Sequence, residues 1–254
     1  MRTALITGAS SGIGFELAHV LADEKSDLIL VARNKEKLLD LAKDLKRNNA
    51  INVKVIAKDL SQLNEVKALV EELKNENIHY LINNAGFGYF GAFNQCDWKT
   101  TEDMIELNIT TLTYLTHAVL PKMLENGSGK ILNVASVAGF LPGPNMAVYY
   151  ATKAYVLHFS EAIAQELNGT GVTVTALCPG PTQSKFMDVS GMAQSKLVKG
   201  RKLPTSKQVA EYGYKAMMRG QHVAVHGWSN FVLSVLPRLF PRRLTTWVVG
   251  LIQK

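Results

Sequence analysis

The feature that most constrains this chain is its rhythm. Short apolar runs alternate with stretches of helical spacing from near the first residue to about residue 225. Thr3–Thr7 is apolar, residues 13–22 follow a helical period, and residues 28–32 are apolar again. Leu38, Leu41, Ala42 and Leu45 recur at helix spacing behind Asn34, a residue type suited to capping a helix. An alternating run at 53–57, a stripe of Val66, Val70 and Leu73, and a run at 78–82 come next. A long helix near 101–125, a run at 130–135, a helix near 148–167, a run at 172–178, a helix near 206–219 and a short run at 222–225 complete the series. Such a series implies about seven parallel strands with helices on both faces of one sheet. A barrel of eight strand–helix units is the rival architecture. Glycines placed directly after the first strand favour the open, doubly wound α/β sheet.

Composition bounds the rest. With 254 residues, 47% of them hydrophobic, the chain can bury one large core, and one α/β domain is expected rather than two. The apolar content excludes a disordered chain, and two cysteines exclude a disulfide scaffold. Met1-Arg2-Thr3 leads straight into the first apolar run, so no secretory leader is expected. The longest uncharged stretch, 131–152, contains Pro142 and Pro144 and reads as strand, loop and helix start rather than a membrane span. A cytoplasmic location is the expectation.

Charge is unevenly placed. Residues 1–184 hold 16 Lys/Arg against 19 Asp/Glu, whereas residues 185–254 hold 12 against two. Two segments break the rhythm. Residues 183–204 lack a clear period and read as a substrate lid over a domain spanning 1–228. Residues 229–254 read as an apolar, basic extension of two short helices separated by Pro237 and Pro241. Its apolar residues need cover, so packing on the body or across a subunit interface is expected, and with it a homo-oligomer. Contact with an anionic membrane surface is the alternative use of this tail. No nucleic-acid role is expected.

The first strand ends in Thr7-Gly8-Ala9-Ser10-Ser11-Gly12-Ile13-Gly14. Glycine there lets the backbone turn tightly, and the helix that follows points free N–H groups at an anion such as a dinucleotide pyrophosphate. Arg33 stands at the end of the second strand, where an acid would bind the ribose 2′-hydroxyl of NAD; a guanidinium suits a 2′-phosphate instead, and so NADP. Ser136 follows a strand and should sit at its ligand-binding end. Tyr149 and Lys153 are four apart on one helix face. An ammonium ~4 Å from a phenol at an effective dielectric of ~20 contributes ~4 kcal/mol. That could lower a tyrosine pKa from about 10 to as low as about 7, within reach of proton exchange at neutral pH.

These residues stand in the order and spacing of a known family. With Asp59-Leu60, Asn83-Asn84-Ala85-Gly86, Asn108, Tyr149-Tyr150-Ala151-Thr152-Lys153 and Pro179-Gly180-Pro181-Thr182, the chain resembles the short-chain dehydrogenase/reductases over about residues 1–225. The resemblance implies a Rossmann fold and NADP(H) as cofactor. It implies that Tyr149 is the general acid of carbonyl reduction, with Ser136 holding the carbonyl oxygen. Lys153 would bind the nicotinamide ribose and depress the Tyr149 pKa, and Asn108 would hold a relay water. Gly8, Ser10, Ser11, Gly12, Ile13 and Gly14 would cradle the pyrophosphate. Asp59 and Leu60 would lie along the adenine. Asn84, Ala85 and Gly86 would support the cofactor, and Pro179, Gly180 and Thr182 would meet its nicotinamide end. Tyr150 is the rival acid, but it lies three residues before Lys153. Ser11 replaces a basic residue carried by many NADP-using members, so the cofactor argument rests on Arg33.

The expected activity is that of an NADP-dependent carbonyl reductase or alcohol dehydrogenase. Phe186, Met187, Met192, Leu197 and Val198 in the lid suggest an apolar or acyl-type substrate. A non-catalytic dinucleotide sensor and a membrane-peripheral binding protein are the alternatives. His19, His79, His117, His158, His222 and His226 lack ligand spacing, so no metal site is expected. Cys96 and Cys178 read as small apolar residues rather than nucleophiles.

Overall fold

The computed structural model describes residues 2–191 and 203–253. Seven strands form one sheet: β1 (Thr3–Thr7), β2 (Asp27–Ala32), β3 (Val53–Ala57), β4 (Ile78–Asn83), β5 (Gly129–Val134), β6 (Val172–Cys178) and β7 (Val223–Val225). Their spatial order is β3-β2-β1-β4-β5-β6-β7, and every pairing is parallel. The order reverses between β1 and β4, which makes the crevice there a topological switch point.

Helices α1 (Gly12–Asp23), α2 (Lys35–Asn48) and α8 (Ser206–Met218) cover one face of the sheet. Their buried stripes, among them Leu17, Leu21, Leu38, Leu41, Val209 and Met217, meet Ile6, Leu30 and Ile82. Helices α3 (Leu63–Leu73), α5 (Leu112–Glu125) and α6 (Ala147–Glu166) cover the other. There Val66, Leu69, Leu115 and Met123 close over Leu5, Val31, Leu81 and Ile131. Asn34 caps α2 as expected, its side chain accepting from Lys37 N at 2.9 Å.

The long middle helix is not uniform. It begins as α4 (Trp98–Ile105), passes through a π-helical turn at Glu106–Thr111 and continues as α5. A π turn adds a residue without breaking the helix and re-aims its side chains. The lid expected at 183–204 is described only at its ends. Gln183 bridges Thr205, and α7 (Phe186–Ser190) is a short helix. Met192, Leu197 and Val198 lie outside the described residues.

The extension folds into two helices, α9 (Trp228–Val235) and α10 (Arg242–Gln253), with a 3-10 turn at Leu236–Leu239 between them. The prolines separate the two as expected, but burial on the body is corrected. Trp228, Leu239 and Trp247 are 78%, 74% and 63% exposed, and Phe231, Leu244 and Leu251 are exposed too. The buried residues of these helices are Ser234 and Gln253. Ser234 Oγ donates to Phe231 O within α9, and Gln253 Nε2 donates to Tyr150 Oη on α6.

Candidate active site

The sheet's C-terminal edge builds the site. After β1 the chain turns through Gly8 and Gly12, whose φ angles are +67° and +61°. A side chain at Gly8 would also collide with Asn84 Nδ2 at 2.7 Å and Ala85 Cα at 2.9 Å. The turn is stapled from β4. Asn84 Nδ2 donates to Thr7 O at 2.9 Å and Gly8 O at 3.2 Å, and the Asn84 and Ala85 N–H groups both donate to Thr7 Oγ1 at 3.0 Å. No side chain caps the N-terminus of α1, so its first-turn donors are not satisfied from Ser11.

Below the edge lies a buried polar chain. Asn83 Nδ2 donates to Asn133 Oδ1 at 2.9 Å, and Asn133 Nδ2 donates to Ser160 Oγ at 2.9 Å. It ties β4, β5 and α6 together at fixed register under the reactive groups.

Ser136 leaves β5 and is almost fully buried. Its Oγ donates to Pro179 O at 3.3 Å and accepts from Ala138 N at 3.1 Å. Tyr149 comes from the first turn of α6, seated against Phe186 at 5.3 Å between ring centroids. Burial pushes its phenol pKa up, and a hydrogen bond with Ser136 opposes the rise. Lys153 is 5% exposed, with Nζ donating to Val134 O at 2.7 Å and standing 5.8 Å from the Tyr149 ring centroid. Burial lowers its pKa to about 8. The expected depression of the Tyr149 pKa by Lys153 is therefore corrected for the chain's own residues. The ammonium is turned to a carbonyl, and desolvation of the phenol is the larger effect.

Seventeen of the nineteen residues singled out in the sequence line one cavity of about 500 Å³. These are Gly8, Ser10, Ser11, Gly12, Ile13, Arg33, Asp59, Leu60, Asn84, Ala85, Gly86, Ser136, Tyr149, Lys153, Pro179, Gly180 and Thr182. Gly14 and Asn108 stand behind the wall. Gly14 has no room for a side chain, since one would meet Gly8 O at 2.6 Å as well as the Asn84 amide. Asn108, on the π turn, accepts from Phe87 N at 3.1 Å and donates to Phe87 O and Thr152 Oγ1, each at 3.0 Å. Its side chain is spent clamping the loop after β4. Asp59 is likewise engaged, accepting from Ser61 N and Ser61 Oγ at 3.1 and 2.8 Å.

Sequence reasoning missed several wall residues. Lys185 lines the cavity and stands against Lys37, whose pKa it lowers by hydrogen bonding and like-charge repulsion. With Arg33 these cations gather at the β2 end of the crevice. Ser229, Asn230, Leu233, Val249, Ile252 and Gln253 enter from the extension. A side chain on Gly180 would strike the Asn230 amide at 2.5 Å, which shows how closely α9 closes on the loop after β6.

A doubly wound parallel sheet, with a glycine turn at its switch point and a buried Ser–Tyr–Lys group at the same edge, defines a dinucleotide-binding oxidoreductase. The family model described as short chain dehydrogenase matches residues 2–194, and the chain belongs to that family. An uncharacterized oxidoreductase of Staphylococcus saprophyticus is 34% identical over 228 residues, 89% of this chain and 94% of that protein. A human protein named inactive hydroxysteroid dehydrogenase-like protein 1 is 30% identical over 258 residues, 100% of this chain and 76% of its own. Among solved structures, a short-chain dehydrogenase from Sphingobium yanoikuyae in complex with NADPH superposes with a TM-score of 0.84 at 34% identity, covering 94% of this chain and 91% of that one.

Proposed function

We propose that this chain is an NADP(H)-dependent reductase of ketones or aldehydes, working equally as a dehydrogenase of the corresponding alcohols, with Tyr149 as the acid. The observation that carries the reading is the convergence of Ser136, Tyr149 and Lys153 on the cavity that also holds the glycine turn and Arg33. The donor set fits the dinucleotide. The uncapped first turn of α1 and the open glycine backbone suit a pyrophosphate. Arg33 with the Lys37–Lys185 pair suits a 2′-phosphate, and the NADPH-bound relative supports that choice.

When bound, the cofactor supplies or accepts the hydride. With its hydroxyl proton turned from Pro179 O, Ser136 donates a hydrogen bond to the substrate carbonyl oxygen through Oγ. Tyr149 gives its phenol proton to that same oxygen as the alcohol forms. The raised Tyr149 pKa keeps the phenol protonated at neutral pH, the form that reduction requires. Lys153, charged below about pH 8, would hold the ribose hydroxyls of the cofactor and offer positive charge to the phenolate left after proton transfer. Asn108 acts as a positioning residue, fixing the Gly86–Phe87 segment beside Lys153. Leu141, Phe186, Met187 and Leu233 give the substrate end an apolar wall, which favours an apolar carbonyl compound.

The test is loss of NADPH absorbance across a panel of aliphatic, aromatic and acyl ketones and aldehydes. Turnover of apolar members supports the reading. NADPH binding without turnover of any carbonyl would move the chain to the dinucleotide-sensor reading, to which the relative named inactive gives some weight.

A further inference from the structure

The last turn of α10 enters the cavity. Gln253 is 1% exposed. Its Nε2 donates to Tyr150 Oη at 2.6 Å, while its Oε1 is buried with no partner among the described residues. Turned over, the amide would accept the Tyr150 proton and leave Nε2 unpartnered instead. In either orientation one end of a buried amide is unspent, and such a group costs stability until something bonds to it. The pair is firmly placed. A side chain on Gly143 would collide with the Tyr150 ring, and one on Gly250 would come within 3.3 Å of Pro144. Tyr150 adjoins Tyr149, and both line the cavity with Leu233, Val249 and Ile252.

We propose that Gln253 and Tyr150 anchor a hydroxyl on the substrate, so that the preferred substrate is an apolar ketone or aldehyde with a second oxygen remote from the reacting carbonyl. A hydroxyl is the group that satisfies the amide in both orientations, since it donates and accepts. The inference rests on the reductase reading for the word substrate, but not for the binding site itself. The probes are a homologous series of methyl ketones, each with and without a terminal hydroxyl, offered to the NADPH-loaded chain. Binding is measured by calorimetry and turnover by absorbance.

At the matching length the hydroxylated member is expected to bind between about fivefold and about a hundredfold more tightly than its plain partner. In Gln253→Leu that ratio falls close to one, and Tyr150→Phe reduces it from the other side. Melting curves identify a variant that has lost its fold. A ratio near one at every length in the native chain, or a preference unchanged in Gln253→Leu, overturns the proposal. Preferential binding without turnover upholds the anchor and removes the reductase reading; turnover without preference does the reverse.

A separate observation concerns the outer side of the same extension. Trp228, Phe231, Leu239, Leu244, Trp247 and Leu251 are exposed, and Arg242 and Arg243 are exposed beside them. The extension 229–254 holds Arg238, Arg242, Arg243 and Lys254 and no Asp or Glu, and Glu161 stands at its edge, lining a hollow with Phe231 and Val235. A second copy related by a two-fold axis would bring Arg242 and Arg243 towards their own counterparts, with no acid of the extension to answer them. Anionic lipid headgroups answer them, and the tryptophans suit the lipid–water interface. We infer that this face docks on an anionic bilayer surface.

Flotation with vesicles of phosphatidylserine and phosphatidylcholine is the test, beside vesicles of phosphatidylcholine alone. Binding is expected to the anionic vesicles, falling roughly thirtyfold when Arg242 and Arg243 are both replaced by Gln. Trp247→Ser with Leu251→Ser should release the chain as well. No flotation with either vesicle overturns the inference. A dimer in light scattering that Trp247→Ser with Leu251→Ser splits would give the face to a second copy instead.

Discussion

Lys153 is a charge buried without a counter-charge. Its Nζ donates to Val134 O at 2.7 Å, and among the described residues no carboxylate pairs with it. Burial lowers its pKa from 10.5 to about 8. That difference corresponds to about 3 kcal/mol, at ~1.36 kcal/mol for each factor of ten. The folded chain holds this proton less tightly than the unfolded chain. The cost is thus present in full below about pH 8 and is relieved as pH rises towards 10.5. Lys153→Met keeps the length of the side chain and removes the charge. Urea unfolding of both proteins at pH 7 and near pH 10.5 reads the effect, and other groups titrating in this range cancel in the comparison. Stability of the Met variant relative to the native chain should fall by about 3 kcal/mol between the two pH values. At pH 7 the variant loses a charged hydrogen bond of about 1.5–3 kcal/mol but sheds a burial cost of similar size, so it should be about as stable as the native chain. Turnover should be lost in the same variant. A relative stability that does not move with pH would refute the claim that the fold holds a desolvated ammonium for chemistry rather than for stability.

Three further perturbations test other parts of the structure. Arg33→Asp should weaken NADPH by about ten- to a hundredfold and leave NADH nearly unchanged, as read from dissociation constants for the two cofactors. Gly14→Ala should lower the melting temperature by several degrees, because the added carbon strikes the Gly8 carbonyl and the Asn84 amide that holds the glycine turn. Truncation after Val235 removes the Gln253–Tyr150 bond but little buried apolar surface. It should cost only a few degrees in calorimetry while raising the KM for apolar carbonyl substrates by opening the cavity wall.

Much of this molecule is legible in its sequence because strands and helices bury their residues at different periods. The runs at Thr3–Thr7 and Val172–Cys178 and the stripe at Leu38, Leu41 and Leu45 all lie where their spacing puts them. The order of the chemical groups was legible for a similar reason. Ser136 follows a strand, Tyr149 and Lys153 share a helix face, and the sheet edge brings them together. The π turn at Glu106–Thr111 was not legible, since one added residue leaves no mark on a helical pattern. It decides what Asn108 touches. The extension misled more deeply. Apolar residues at helix spacing normally mark the inward face, but in α9 and α10 Trp228, Phe231, Leu244, Trp247 and Leu251 face outward while Leu233, Val249 and Ile252 line the cavity. The informative residues there were the polar ones, Ser234 and Gln253, isolated in apolar surroundings. The direction of the Tyr149 pKa depends on where the Lys153 ammonium points, which spacing alone does not determine.

The central claim is that Tyr149 delivers the proton in an NADPH-dependent carbonyl reduction. Steady-state turnover of the best ketone found, with NADPH affinity measured alongside, tests it in Tyr149→Phe and Tyr150→Phe. Tyr149→Phe should lose about a hundred- to ten-thousandfold in kcat while binding NADPH within a few fold of the native chain. Tyr150→Phe should keep its kcat for ketones that lack a second hydroxyl. Activity that survives in Tyr149→Phe and vanishes in Tyr150→Phe would contradict the account and place the acid on the neighbouring ring.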